Sequence, residues 1–279
     1  MNRNELFSPV KLWLVFYETC GIFLRMRKSL SLFLAILVCT VHAFAQMGGG
    51  AGGGGGFDNG MEKLFAANPV FAASMKTQMT GPNGPMTVTA KMYFDHENSR
   101  TDMNMTDVQG SSLPQSAVVQ MQSMGMDKII MITPASKKTV YMIYPKIHCY
   151  AGVPMPAQDP AAKNFNVQIT KLGTETVDGH PCVKNQVVVT NSTQSQEFTV
   201  WNATDLNNFP IQIQQNQQGI SATITFQNIT LGGLNKSLFV PPADYTHYDS
   251  MQSLMEAVVM KNAPGAGAPA PSVSPSPNQ

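Results

Sequence analysis

From Phe71 to Phe226 apolar residues keep returning at every second position, and that period constrains the fold more than any other property of the chain. Met86, Val88, Ala90, Met92 and Phe94 alternate with Thr87, Thr89, Lys91, Tyr93 and Asp95. Successive side chains of a strand point to opposite faces, so the alternation describes a strand buried on one face only. Just before it, Phe71, Ala73, Met75 and Met79 alternate with Ser74, Lys76 and Gln78, and Pro82-Asn83-Gly84 supplies the turn between the two. Phe165, Val167 and Ile169 oppose Asn166, Gln168 and Thr170, and Phe198 and Val200 oppose Thr199. Phe209, Ile211 and Ile213 oppose Gln212 and Gln214, and Ala222, Ile224 and Phe226 oppose Thr223, Thr225 and Gln227. Lys128 to Thr133 and Thr139 to Pro145 form a predicted hairpin across Ala135-Ser136-Lys137. Asp178-Gly179 is a second hairpin turn, leading into Cys182–Val189. This gives about ten strands joined by short turns, the pattern of an antiparallel sheet. The predicted class is mainly β, with one large curved sheet.

Two segments carry the helical period instead. Ser116 to Met124 places Val118, Met121 and Met124 on one side. Asp249 to Met260 does the same with Met251, Leu254, Met255 and Val258, and Asp249 or Ser250 can cap it. A wide curved sheet covered by so little helix leaves an apolar gap suited to an apolar ligand. Its predicted lining is Met75, Val88, Met92, Phe94, Met142, Phe165, Val167, Phe198, Val200, Ile224 and Phe226. The same pattern also fits a face filled by its own side chains.

The ends of the chain follow other rules. Arg25, Arg27 and Lys28 precede the apolar run Leu30 to Val38, and Ala43-Phe44-Ala45 is a small-x-small site. Residues 25–45 therefore read as a secretory signal cleaved after Ala45, which places the mature chain in the periplasm. An uncleaved anchor is the alternative, but the run is short for a span. Residues 1–24 fit no signal, and Met26 begins a well-formed one, so 1–24 reads as an extension outside the true start. Residues 46–56 are a glycine-rich linker, 57–262 the folded domain, and 263–279 a tail of Pro, Ala and Ser with the composition of disorder. Cleavage leaves Cys149 and Cys182, an even pair in an oxidising compartment. The two form either a disulfide or two separate buried thiols.

The charge pattern excludes several functions. The formal net charge is +1, and Arg100 is the last arginine of the chain. That is no footprint for nucleic acid. His96, His148, His180 and His247 stand in no spacing for a nucleophile triad or a zinc helix. His180 and Cys182 flank Pro181, two ligands where structural zinc takes four. The carboxylates are scattered. No enzyme and no cofactor is expected. Methionine is in excess, with 19 residues, among them Met103, Met105, Met121, Met124, Met126, Met251, Met255 and Met260. Thioethers suit Cu(I), and His96 or His148 would complete a copper-binding protein. Methionine is equally a flexible filler of an adaptable apolar cavity.

The stretch from Lys171 to Lys184, with Gly173-Thr174-Glu175, Val177-Asp178-Gly179, Pro181-Cys182 and Lys184, resembles the signature of a bacterial family of unknown function with a fold like the LolA/LolB lipoprotein carriers. Lys91 to Asp95 followed by Arg100, Val140-Tyr141-Met142, Val200-Trp201 before Asn208-Phe209-Pro210-Ile211, and Ser237 to Tyr245 come in the matching order. Together they cover about residues 70–246. The resemblance implies an incomplete β-barrel with helices across its open mouth and an apolar cavity. Arg100 is the one candidate for the arginine that holds the lid in the carriers, and Met251, Leu254, Met255 and Val258 are the candidate lid. The closing helix follows the last strand here, whereas in the carriers it lies between strands. The implied partner is a lipid or lipidated protein bound by a monomer, with peripheral association to the cell envelope. A domain for interaction alone, with no small ligand, is the remaining alternative.

Overall fold

The computed structural model describes residues 59–262, except 83, 111–113, 137, 156–164, 192–194 and 218. Residues 1–24, the signal, the linker and the tail lie outside the described residues. A short helix, α1 (Asn59–Glu62), runs into a single 3-10 turn, Lys63–Phe65. The strands that follow are β1 (Val70–Gly81), β2 (Gly84–Asp95), β3 (Asn98–Asn104) and β4 (Gln109–Gly110). Helix α2 (Gln115–Ser123) precedes β5 (Lys128–Thr133), β6 (Thr139–Tyr144) and β7 (Cys149–Pro154). Then come β8 (Asn166–Val177), β9 (His180–Thr190), β10 (Ser195–Ala203), β11 (Phe209–Gln217) and β12 (Ile220–Leu231). β13 (Thr246–Tyr248) and α3 (Met251–Asn262) end the described chain.

All the strands join one sheet in the order β13-β7-β6-β5-β3-β2-β1-β12-β11-β10-β9-β8, with β4 beside β2. The pairing is antiparallel except between β13 and β7. The order begins at β13 and ends at β8, so the sheet is open. A twisted sheet this wide curls rather than staying flat. The hairpin register follows the turn chemistry. At the β8–β9 turn Asp178 and Gly179 both take positive φ, 51° and 84°, as a two-residue turn between twisted strands demands. The mainly β class and the two longer helices match the sequence pattern. Among the described residues the sheet has 13 strands where about ten were expected. The surplus comes from short elements such as β4 and β13, which hold too few residues to show a period.

The period-two residues fall where alternation puts them. Phe71, Ala73, Met75 and Thr77 of β1 are buried, while Lys76 and Gln78 between them are exposed. On β2 the buried set is Val88, Ala90, Met92 and Phe94, and Met75 stands opposite both Ala90 and Phe226. This side is called the inner face. Phe65 plugs one part of it. Its ring centroid lies 4.9 Å from Phe71, 5.5 Å from Phe209, 5.6 Å from Phe226 and 6.3 Å from Phe94. Stacked and edge-on contacts at such spacings are favourable beyond area burial alone.

The outer face carries two smaller clusters. Cys182, Trp201, Ala203 and Ile211 pack together with Val177, Leu206 and Ile229. A register shift at Trp201/Asn202 takes Ile211 out of step with Ile213, which stands opposite Val200 and Ile224. In the other cluster Phe239, from the segment after β12, covers Ile132 and Ile143.

Candidate functional site

The inner face brings together most of the predicted lining. Met75, Val88, Met92, Phe94, Met142, Phe198, Val200, Ile224 and Phe226 are all buried. They come from strands far apart in the chain and meet only because each strand turns alternate residues inward. Register links them directly: Phe226 faces Met75, and Val200 faces Ile213, which faces Ile224. Among the described residues ten methionines are buried, including Met103, Met105, Met121, Met124 and Met126 on the stretch from β3 to β5. An unbranched, polarizable thioether adapts to irregular partners more readily than a branched aliphatic chain.

Two of the predicted lining residues do not belong. Val167 is 36% exposed on β8, and Phe165 is half-buried just before that strand. The cause is topological. β8 pairs only with β9 at the sheet edge, and its residues from Asn166 to Leu172 are left exposed. Ile169 and Leu172 on the same strand are also exposed.

The predicted lid divides in two. Leu254, Met255 and Val258 are buried, and Met251 is half-buried at the start of α3. The Ser250 hydroxyl accepts from the Ser253 amide at 3.1 Å and caps the helix. α3 packs on β7. Lys261 in its last turn reaches the field of the Cys149 thiol, which burial nonetheless pushes up. Arg100 belongs elsewhere. It pairs across the strands with Tyr93, which alternates with the inner-facing Met92 and Phe94, so it lies on the outer face. Its guanidinium grips both Asp102 carboxylate oxygens, at 2.6 and 2.9 Å, and donates to the Leu238 carbonyl at 3.3 Å. It also lies over the Tyr93 ring, 5.5 Å from the centroid. Arg100 thus clamps the segment leading to Phe239 against the outer face and makes none of these contacts with α3.

The cysteines are free thiols. Cys149 is on β7 and Cys182 on β9, with eight strands between them in the sheet order, so no disulfide joins them. Burial pushes both thiols up. His96 bonds Asp95 at 2.6 Å, and His148 lies edge-on to Tyr245 at 5.1 Å. Both are exposed. Among the described residues no three or more His, Cys, Asp or Glu side chains gather as a metal site. No described helix is long and apolar enough to cross a membrane.

Two groups central to this face have no counterpart in the sequence reading. Phe65 stands in one turn of helix, too short for any period to mark it. Tyr144 lies two residues after Met142, so the same strand period carries it inward. Its hydroxyl is fully buried and has no hydrogen-bond partner among the described residues. Burial first, and the neighbouring Cys149 second, push the phenol far up, so it stays protonated and a donor.

A family model described as a domain of unknown function (DUF4412) matches residues 71–209. No match was found among curated proteins. Among solved structures, the chain is similar to LprF from Mycobacterium bovis, with 13% identity over 67% of this chain and 95% of that one and a TM-score of 0.36. It is similar to a LolA superfamily protein from Nitrosomonas europaea, with 10% identity, 64% and 93% coverage and a TM-score of 0.32. It is also similar to the lipoprotein LppX of Mycobacterium tuberculosis, with 10% identity, 63% and 93% coverage and a TM-score of 0.35.

Proposed function

We propose that this chain is an exported, non-enzymatic protein of the periplasm whose inner sheet face takes an apolar ligand, a lipid or the acyl chain of a lipidated protein. The observation that carries the reading is the inner face itself. Nine predicted lining residues from five strands are buried on it, and methionines supply much of the remaining interior. Such an interior can exchange packing among its own side chains for packing against an acyl chain at small cost. The Phe65 plug closes one part of the face, and α3, the last described element, is the piece whose movement would admit a ligand. Export rests on the basic, apolar and small-residue sequence of residues 25–45.

The test is to purify residues 46–279 from a bacterial periplasm and pair native mass spectrometry with lipid extraction. A bound mass that resolves into an acyl lipid is the expected result. The plain polypeptide mass, together with failure of hexadecanoic acid to displace bound N-phenyl-1-naphthylamine, refutes the reading.

A further inference from the structure

Tyr144 and Thr77 both carry a buried inner-face hydroxyl without a partner among the described residues, and Tyr144 is the larger and the one beside other polar groups. It is the largest fully buried side chain among the described residues, and its hydroxyl donates to nothing among them. Buried polar groups in folded proteins nearly always find a partner, and an unmade hydrogen bond is destabilising. Phenylalanine would fill the same space without that cost. The surroundings are specific as well. Tyr144 stands directly opposite Cys149 at the junction of β6 and β7, the strand on which α3 packs. The cysteine thiol is a weak donor, and it too is buried. Lys261 lies near Cys149 from the end of α3. The Tyr144 hydroxyl and the Cys149 thiol are thus two buried donors side by side at this junction, whereas phenylalanine rings close the part of the face around Phe65.

We propose that Tyr144 is the polar anchor of the ligand site, and that its hydroxyl donates to the ester or amide carbonyl at the head of an acyl chain. The inference rests on the apolar-ligand reading above. A neutral carbonyl suits the place better than a carboxylate, because a charge in so apolar a setting would be costly to desolvate. The chain of the ligand then runs away from Tyr144 along Met142 and its neighbours. An ester carbonyl belongs to a glycerolipid, and an amide carbonyl to an N-acylated protein terminus.

The test compares wild type with Tyr144→Phe in the chain from Gln46 to Gln279. Three probes share a sixteen-carbon chain: hexadecane, methyl hexadecanoate and N-methylhexadecanamide. Each is delivered from cyclodextrin and read by displacement of N-phenyl-1-naphthylamine. Tyr144→Phe is expected to weaken the ester or the amide by about three- to tenfold, the value of one buried neutral hydrogen bond, and to leave hexadecane unchanged. The probe that loses more identifies the source of the carbonyl. The ligand-free variant melts at the same temperature as wild type or higher. Equal binding of all three probes by both proteins overturns the anchor while leaving the apolar-ligand reading intact. A variant that melts lower or fails to fold also overturns it, since the hydroxyl would then have a structural partner. Binding of no probe by wild type overturns both readings.

Discussion

Replacing Phe65 by alanine is expected to cost the domain about 4 kcal/mol, the middle of the range for buried phenylalanine truncation. Phe65 is 1% exposed, so almost its whole side chain would be removed from the core. It touches four rings, at centroid distances from 4.9 to 6.3 Å, and each such pair adds about 0.5–1.5 kcal/mol beyond burial. Those four partners also hold one another. Phe71 lies 5.0 Å from Phe209, and Phe209 lies 5.7 Å from Phe226. They come from paired strands and cannot collapse into the space, which keeps the cavity open and the cost high. Leucine in the same place keeps much of the volume and should cost less than about 2 kcal/mol. The assay is urea unfolding of the chain from Gln46, followed by Trp201 fluorescence. Trp201 is the only tryptophan after Trp13, and it sits in the outer cluster, so its signal reports global unfolding rather than the local hole. The midpoint should fall with the slope unchanged. A loss below about 1 kcal/mol would refute the reasoning, since it would mean that Phe65 does not plug the inner face.

Glu175 accepts from Lys184 at 2.7 Å and from the Trp201 indole at 2.9 Å, and these two bonds hold its carboxyl below the ordinary glutamate range. A depressed folded-state value means that its stabilisation is present above the unfolded value and is lost as pH falls through the folded one. An acid titration of Trp201 fluorescence should therefore show a step below the ordinary glutamate value that Glu175→Gln abolishes. Cys149 and Cys182 are 4% and 2% exposed and shifted up by burial, so a disulfide-exchange reagent at pH 8 should label them slowly in the native protein. It should label both thiols quickly in denaturant; an absence of titratable thiols there would contradict the free cysteines. Arg100→Lys keeps the charge but loses the fork on Asp102 and the bond to Leu238, and should cost about 1–3 kcal/mol in urea unfolding. A neutral outcome would mean that Arg100 does not clamp the segment leading to Phe239.

The strands were legible because each obeys a local rule. The alternation of Met86 to Phe94 fixes one face, and Asp178-Gly179 fixes a turn, without reference to the rest of the chain. The inner-face residues followed by the same logic, and Tyr144 was within its reach, two positions after Met142. What was not legible depends on position in the sheet. Val167 and Ile169 alternate as cleanly as Met75 and Phe226, and only the strand order shows that β8 lies at the edge. Arg100 is a lid candidate only through the resemblance to the carriers, and nothing local says which side of β3 it occupies. Its face is set by register with Tyr93, a pairing that forms only once the sheet does. The cysteines invited a disulfide by number and compartment, but their distance is a property of a sheet order that places eight strands between them.

The edge at β8 has a further consequence. Its twelve residues are exposed almost throughout, Ile169 at 66% and Leu172 at 53%, and one side of its backbone pairs with no described strand. A long bare edge of this kind is a template on which a second chain can grow. The register shift between Lys171 and Gly173 breaks that template into two short runs, and the lysine adds a charge beside the break. The irregularity thus opposes pairing of a second chain along the full length of β8. A deletion that restored regular pairing through Leu172 would leave the interior untouched, yet lengthen the unbroken edge on which a second chain can pair.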